Sequence, residues 1–291
     1  MTRKISYRRK RLGQVFLRDR SVVEGIMRCA ALAGGETVLE IGPGRGILTT
    51  ALASQAACLY ALEIDPRYVQ AMRQLFAEAP HVHILQADAR SYDYETLPKP
   101  LVVVANLPYQ AGMAILTQLF RSRQRLSRLV VMLQKEVAGR LLAAPDSSSY
   151  SALSVFFQYY AAVQHGFHVS RQAFTPVPAV DSSVITLTPY RELPWPQHDE
   201  QFFFRVVRQA FSHRRKLLRG NLLGLAHPGL SQAIVAQAFQ ILGLGGNARA
   251  QELPVIRFVQ LSETLRGLLP EGVPRHSTGG CSSLPSLSQR M

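Results

Sequence analysis

Thr37-Val38-Leu39-Glu40-Ile41-Gly42-Pro43-Gly44-Arg45-Gly46 joins a short apolar run to a tight group of glycines. The run has the length and branching of a buried strand, and residues 47–55 behind it have helical spacing. Glycines between a strand and a helix let backbone approach a ligand, because no Cβ stands in the way. The alternation continues outward on both sides. Asp19 or Ser21 can cap a helix reaching about residue 33. Strands are expected at 58–64, 82–85, 101–105 and 129–133, with Pro66 opening one helix and further helices at 111–120 and 135–144. Short β-branched strands joined by helix-length connections make a parallel sheet covered on both faces, so the fold class is α/β. Segments 159–169 and 182–188 follow with no helix between them, and an antiparallel pair should close one edge.

Beyond a proline-rich linker at 188–196, residues 202–223, 231–242 and 254–269 show helical spacing and form a small C-terminal helical domain. The expected organisation is a basic N-terminal arm (1–19), a ligand-binding α/β domain (20–190), the helical domain (197–270) and a disordered tail (275–291). The arm holds Arg3, Lys4, Arg8, Arg9, Lys10 and Arg11 before the first acid, Asp19. It reads as a solvated tail, a transit peptide or a phosphate-touching arm.

Composition narrows the function class. An apolar fraction of 47% across 291 residues fills a real core and excludes a wholly disordered basic chain. Lys and Arg outnumber Asp and Glu by 33 to 19, a net charge of +14, so polyanions are the natural partners. Cys29, Cys58 and Cys281 lie far apart with no metal-ligand spacing. That argues against a zinc site or a disulfide scaffold and suits a reducing cytoplasm. No apolar run approaches the ~18 residues of a membrane span, and no signal-type apolar segment follows the basic start.

Three strand ends carry the chemistry. Glu63 stands 21 residues after Gly42, where a carboxylate can accept both hydroxyls of a ribose. The dinucleotide fingerprint would want glycine at position 47, and Ile47 there disfavours a pyrophosphate site. Asp88, after the next strand, is placed to accept from an adenine amino group. Singly, each piece reads as a turn or a cap; together they point to a nucleoside-containing cofactor. The glycines and Glu63 alone would fit NAD or S-adenosylmethionine, and Ile47 counts against the pyrophosphate of NAD.

Asn106-Leu107-Pro108-Tyr109 follows the fourth strand of the series at the same edge. An exocyclic adenine amine is a poor nucleophile, because its lone pair is delocalised into the ring. The Asn106 amide oxygen, with a backbone carbonyl, can accept its two N–H bonds, localise the lone pair and aim it at an electrophilic methyl group. Pro108 stiffens the loop, and Tyr109 offers a ring for a base to stack on. No strong general base or metal is required, since a sulfonium methyl is already activated.

These segments, with Gly13-Gln14-Val15-Phe16-Leu17, Met132-Leu133-Gln134-Lys135-Glu136-Val137, the loop Phe174–Ser182 and Phe211-Ser212-His213-Arg214-Arg215-Lys216, resemble the ribosomal RNA adenine N6,N6-dimethyltransferases in their small-subunit (KsgA-type) branch. The resemblance runs from Gly13 to about Leu222. It implies a Rossmann-like class I methyltransferase sheet, S-adenosylmethionine as methyl donor and two adjacent adenines near the 3′ end of small-subunit rRNA as substrate. The modification would come late in assembly of the pre-ribosomal small subunit, by a monomer in the cytoplasm. Cofactor contacts carry over to Leu17, Gly42, Glu63, Asp88 and Asn106. Val15 stands where the family usually has Asn or His, leaving only a backbone contact there. Phe174 corresponds to an aromatic that sandwiches the base against Tyr109.

The segment 202–223 holds six basic residues and no acid. On one helix, Arg205, Arg208, Arg215 and Arg219 would share a stripe beside an apolar face of Phe204, Val207, Phe211, Leu218 and Leu222. With Arg214 and Lys216 they form the expected RNA-contacting set. A resistance-type methyltransferase of large-subunit rRNA shares the front domain, but the Phe174–Ser182 loop and the Phe211–Lys216 segment favour the small-subunit branch. A non-enzymatic RNA-binding assembly factor would predict decay at Glu63, Asp88 or Asn106, and none is seen.

Overall fold

The computed structural model describes residues 15–270. Most of the basic arm and the tail at 275–291 therefore lie outside the described residues. Within them the chain divides into two compact units, 15–138 with Ala162–Pro189, and Gly139–Ala161 with 190–270.

The first unit opens with β1 (Phe16–Leu17) and α1 (Arg20–Ala30). Asp19 is the cap of α1, its Oδ1 accepting the Ser21 N–H at 2.9 Å. The helix stops at Ala31, whose φ of 45° is left-handed, three residues short of the expected end. Next come β2 (Thr37–Ile41), α2 (Ile47–Ala53), β3 (Cys58–Glu63), α3 (Pro66–Leu75), β4 (Val82–Gln86), β5 (Leu101–Asn106), α4 (Gly112–Arg121) and β6 (Leu126–Gln134). Pro66 sits in the first turn of α3 and Asp65 caps it, accepting from the Arg67 N–H at 3.0 Å. After α5 (Lys135–Leu142) and α6 (Ala152–Tyr160), the chain returns as β7 (Ala161–Val169), β8 (Phe174–Thr175) and β9 (Ser182–Pro189).

Seven strands form one sheet in the order β4-β3-β2-β5-β6-β9-β7. The first five run parallel, and β9 pairs antiparallel with β6. Chain order reverses between β2 and β5, which opens a crevice at their carboxyl ends, where ligands bind in doubly wound sheets. Val38, Leu39, Leu59, Ala61 and Val102–Ala105 are almost fully buried, as strands covered on both faces require.

The second unit is helical. It contains α6 and, after the linker, α7 (Glu200–Ala210), α8 (Leu218–Leu222), α9 (Gln232–Leu242) and α10 (Val255–Leu268). Its core is aromatic: Tyr159 lies 4.7 Å from Phe203 and Phe156 5.1 Å from Phe204, centroid to centroid. Among the described residues no helix is long and apolar enough to cross a membrane.

Three features depart from expectation. Residues 159–160 close α6 instead of opening a strand, and the helix itself was unread. Leu153 to Phe157, Tyr159 and Tyr160 are all buried, so no polar face marks a helical period. Residues 139–161 group with the helical unit instead of the sheet. The segment 202–223 is not one helix: α7 ends at Ala210 and α8 starts only at Leu218. From α8 the buried Asn221 side chain reaches back and donates to the carbonyls of Ala210 (2.6 Å) and His213 (3.0 Å), holding a turn where a longer helix would run.

Candidate active site

Strand register brings the predicted residues together. Ile41 lies opposite Leu62 in β3 and Ala105 in β5, so Gly42, Glu63 and Asn106 leave the sheet at one level. Gln86 lies opposite Glu63, which puts Asp88 two residues beyond the same edge. Cross-strand N–H bonds extend the pairing into the loops: Gly42 donates to Leu62 O at 2.8 Å, Ala87 to Glu63 O at 3.0 Å and Leu107 to Met132 O at 3.2 Å.

Gly42, Gly44 and Gly46 have φ of 71°, 54° and 82°, which L side chains rarely adopt. At Gly46 there is also no room, because a Cβ would lie 2.8 Å from the Met72 sulfur. The loop curls around a cavity of about 410 Å³ lined by Val15, Leu17, Gly42, Glu63, Asp88, Asn106, Leu107, Pro108 and Tyr109 among others. Phe16 lines it too, with the Arg45 guanidinium 4.7 Å from its ring centroid.

Glu63 is buried at 5% exposure, and its carboxylate ties the edge together. Oε2 accepts the Gly44 N–H at 3.2 Å and Oε1 the Asp65 N–H at 2.8 Å. Burial pushes its pKa up, against these two hydrogen bonds, which favour the ionised form. Each oxygen keeps a further lone pair for a ligand hydroxyl. Glu40, unread as a site residue, also lines the cavity and is 1% exposed. Its Oε2 has no hydrogen-bond partner, and burial pushes its pKa up to about 8, helped by the charge of Glu63. Asp88 forms a two-pronged ion pair with Arg90, which holds its pKa down.

Asn106 is half-buried at the end of β5 and lines the cavity. Leu107 behind it is 1% exposed and anchors the loop. The Pro108 carbonyl accepts from Gly112 at 2.7 Å and Ala111 at 3.1 Å, so the loop feeds directly into α4. The Tyr109 hydroxyl meets the Ser182 hydroxyl at 2.9 Å, a contact across 73 residues that anchors the tip of its ring. Phe174 is not brought to the cavity. Leu17 pairs with Phe174 across β1 and β8, and the ring is buried in the core with Val169, Ala173 and Val184. The expected sandwich with Tyr109 is not assembled.

In the helical unit, the expected arginine stripe is broken between α7 and α8. Arg208 lies exposed on α7, Arg214, Arg215 and Lys216 on the connecting segment, and Arg219 on α8. Arg214 donates to the Ser148 carbonyl. Arg205 is half-buried, its guanidinium 5.5 Å from the Phe202 ring centroid, and is withdrawn from the exposed set.

The sequence profile of the family described as "Ribosomal RNA adenine dimethylase" matches residues 5–266. The chain is 38% identical over 269 residues to "Ribosomal RNA small subunit methyltransferase A" of Pseudomonas syringae pv. tomato, covering 91% of this chain and 97% of that one. It is 40% identical over 273 residues to the protein of the same name from Geobacter sulfurreducens, covering 91% and 96%. Among solved structures, a dimethyladenosine transferase from Plasmodium falciparum superposes with a TM-score of 0.76 at 24% identity, covering 87% of this chain and 98% of that one. The 23S rRNA methyltransferase ErmE superposes with a TM-score of 0.67 at 27% identity, covering 86% and 99%.

Proposed function

Since the chain belongs to the ribosomal RNA adenine dimethylase family, we propose that it acts on two adjacent adenines near the 3′ end of small-subunit rRNA. It transfers methyl groups from S-adenosylmethionine to their N6 amines. The proposed setting is ribosome biogenesis in the cytoplasm, with the pre-ribosomal small subunit as partner and the enzyme as a monomer. The observation that carries the reading is the convergence of Gly42, Glu63, Asp88 and Asn106–Tyr109 on one cavity. Identity of 38–40% over nine-tenths of the chain to small-subunit methyltransferases favours that branch over the large-subunit one. The likeness to ErmE supports a front domain common to both.

The cavity suits the cofactor. The backbone at Gly42 is open to it, with nothing within 4 Å of a Cβ built there, and Glu63 keeps lone pairs for ribose hydroxyls. Asp88 would take the adenine amine, and Val15 and Leu17 would supply backbone and apolar contact. When bound, S-adenosylmethionine supplies a methyl group on a positively charged sulfur. The Asn106 amide oxygen accepts an N–H of the target amine and localises its lone pair. Tyr109, its hydroxyl held by Ser182, stacks on the base. The proton lost from nitrogen leaves an acidic ammonium, so no residue of this chain has to act as a strong base. Arg208, Arg214, Arg215, Lys216 and Arg219 contact phosphates and so position RNA without identifying a base.

The test is incubation of the protein with labelled S-adenosylmethionine and undermethylated small subunits, followed by mass spectrometry of the nucleosides. Dimethyladenosine confined to two neighbouring small-subunit positions is expected. Label on large-subunit rRNA, or none on RNA at all, overturns the reading.

A further inference from the structure

Asp88 and Arg90 face the same cavity and already satisfy each other. Arg90 Nε donates to both carboxylate oxygens, at 3.0 and 3.1 Å, and Nη2 donates to Oδ2 at 2.6 Å. The Arg90 backbone N–H adds a bond to Oδ1 at 2.9 Å. The single Nε–H is shared between the two oxygens, so three N–H groups occupy most of the four in-plane lone pairs of the carboxylate. An adenine amino group thus meets a carboxylate whose charge and lone pairs are already largely engaged by Arg90. The backbone bond is fixed by the turn; the guanidinium, on a side chain 56% exposed, is free to swing into solvent.

We propose that Arg90 is a positioning residue that sets purine selectivity in the cofactor pocket by competing with the 6-amino group for Asp88. A 6-aminopurine has to share or displace the guanidinium bonds, so part of the intrinsic affinity of Asp88 for adenine is cancelled. A 6-oxopurine meets the opposite arrangement. Its carbonyl is repelled by a bare carboxylate but accepts from a guanidinium that turns toward it. Arg90 thus narrows the preference for amino over oxo purines that Asp88 alone would impose. Two residues of separation let the pair re-form in every empty molecule, so the competition is local and does not require any larger movement. The inference rests on the assignment of Asp88 to adenine.

The test is calorimetric titration of the full chain with S-adenosylhomocysteine and S-inosylhomocysteine, which differ in the 6-substituent and in the proton that the 6-oxopurine carries on N1. Neither carries the sulfonium charge, so loss of the guanidinium does not act on a cationic sulfur. Arg90→Ala should bind S-adenosylhomocysteine about two- to fivefold tighter, the factor of an ion pair of this exposure, and S-inosylhomocysteine more weakly. Arg90→Lys should fall between, because an ammonium does not bridge both oxygens in the guanidinium's planar fork. An unchanged amino-to-oxo ratio, or weaker S-adenosylhomocysteine binding, overturns the proposal; in the second case Arg90 supports Asp88 instead of competing for it. Asp88→Ala is read in parallel. If it leaves S-adenosylhomocysteine affinity unchanged, the adenine assignment itself falls. If it weakens binding while Arg90→Ala leaves the ratio unchanged, only the role of Arg90 falls.

Discussion

The carboxyl edge of the sheet and the basic segment 205–219 both began as spacings in the sequence, and the structure treats them differently. At the sheet edge, parallel register and backbone hydrogen bonds fix where Gly42, Glu63, Asp88 and Asn106 must stand. Side chains then only fill positions that the backbone has set. In the basic segment one buried side chain, Asn221, ends the helix early and redistributes the arginines over two helices and a turn. Spacing is thus a dependable guide where pairing enforces it. It fails where it assumes that a helix continues, because tertiary contacts decide helix ends.

The largest effect expected from this contrast is on the chemical step. Asn106→Ala should lower single-turnover methyl transfer by roughly 10²–10³-fold, or ~3–4 kcal/mol, as loss of a preorganised polar group does. RNA affinity should be unchanged. Retention of more than about a third of the rate, well under ~1 kcal/mol, would place the chemistry elsewhere. Next in size is the cofactor cradle. Glu63→Ala should weaken S-adenosylmethionine binding by ~1–3 kcal/mol in calorimetry, since a charged acceptor for the ribose is lost. It also frees the N–H groups of Gly44 and Asp65, so its effect should exceed that of Glu63→Gln.

How much was legible follows the same division. The sequence pattern gives strand β2 to the residue and gathers the loops after β2, β3, β4 and β5 into one site, because alternating strands and helices leave their ends on one edge. Phe174 was assigned to the base because its loop motif suggested it, but pairing with β1 turns its ring into the core. Such pairing between residues over 150 positions apart leaves no local trace. The same holds for the bond between Tyr109 and Ser182. Arg90, only two residues from Asp88, was within sight, yet nothing in the spacing says that an arginine folds back on its neighbour. Helix α6 was hidden for another reason, since burial on all sides erases amphipathic period.

Two smaller effects sharpen the contrast. Asn221→Ala removes two buried bonds that hold the segment after α7, and should cost about 1–2 kcal/mol of stability in denaturant unfolding. An unchanged midpoint would mean that the turn is held by other contacts. Glu40 gives a pH signature instead. Its folded carboxyl keeps its proton until about pH 8, whereas in the unfolded chain it ionises near 4.5. Between these values the unfolded state binds fewer protons, so stability should fall as pH rises through the window. Glu40→Gln should flatten that decline in thermal unfolding; a parallel decline in the variant would assign it to another group.

If the sheet edge does the chemistry and the exposed basic residues supply RNA affinity, variants of the two regions should separate kcat from KM. Steady-state kinetics on undermethylated small subunits at several salt concentrations tests it most directly, comparing Asn106→Ala with the triple variant Arg208→Ala, Arg215→Ala and Arg219→Ala. The account predicts that Asn106→Ala loses kcat at unchanged KM. The triple variant should keep kcat, raise KM and flatten the slope of log affinity against log salt by up to ~0.7 per single-strand phosphate contact removed. A triple variant with the wild-type salt slope, or one that loses kcat at saturating RNA while KM stays fixed, would contradict it.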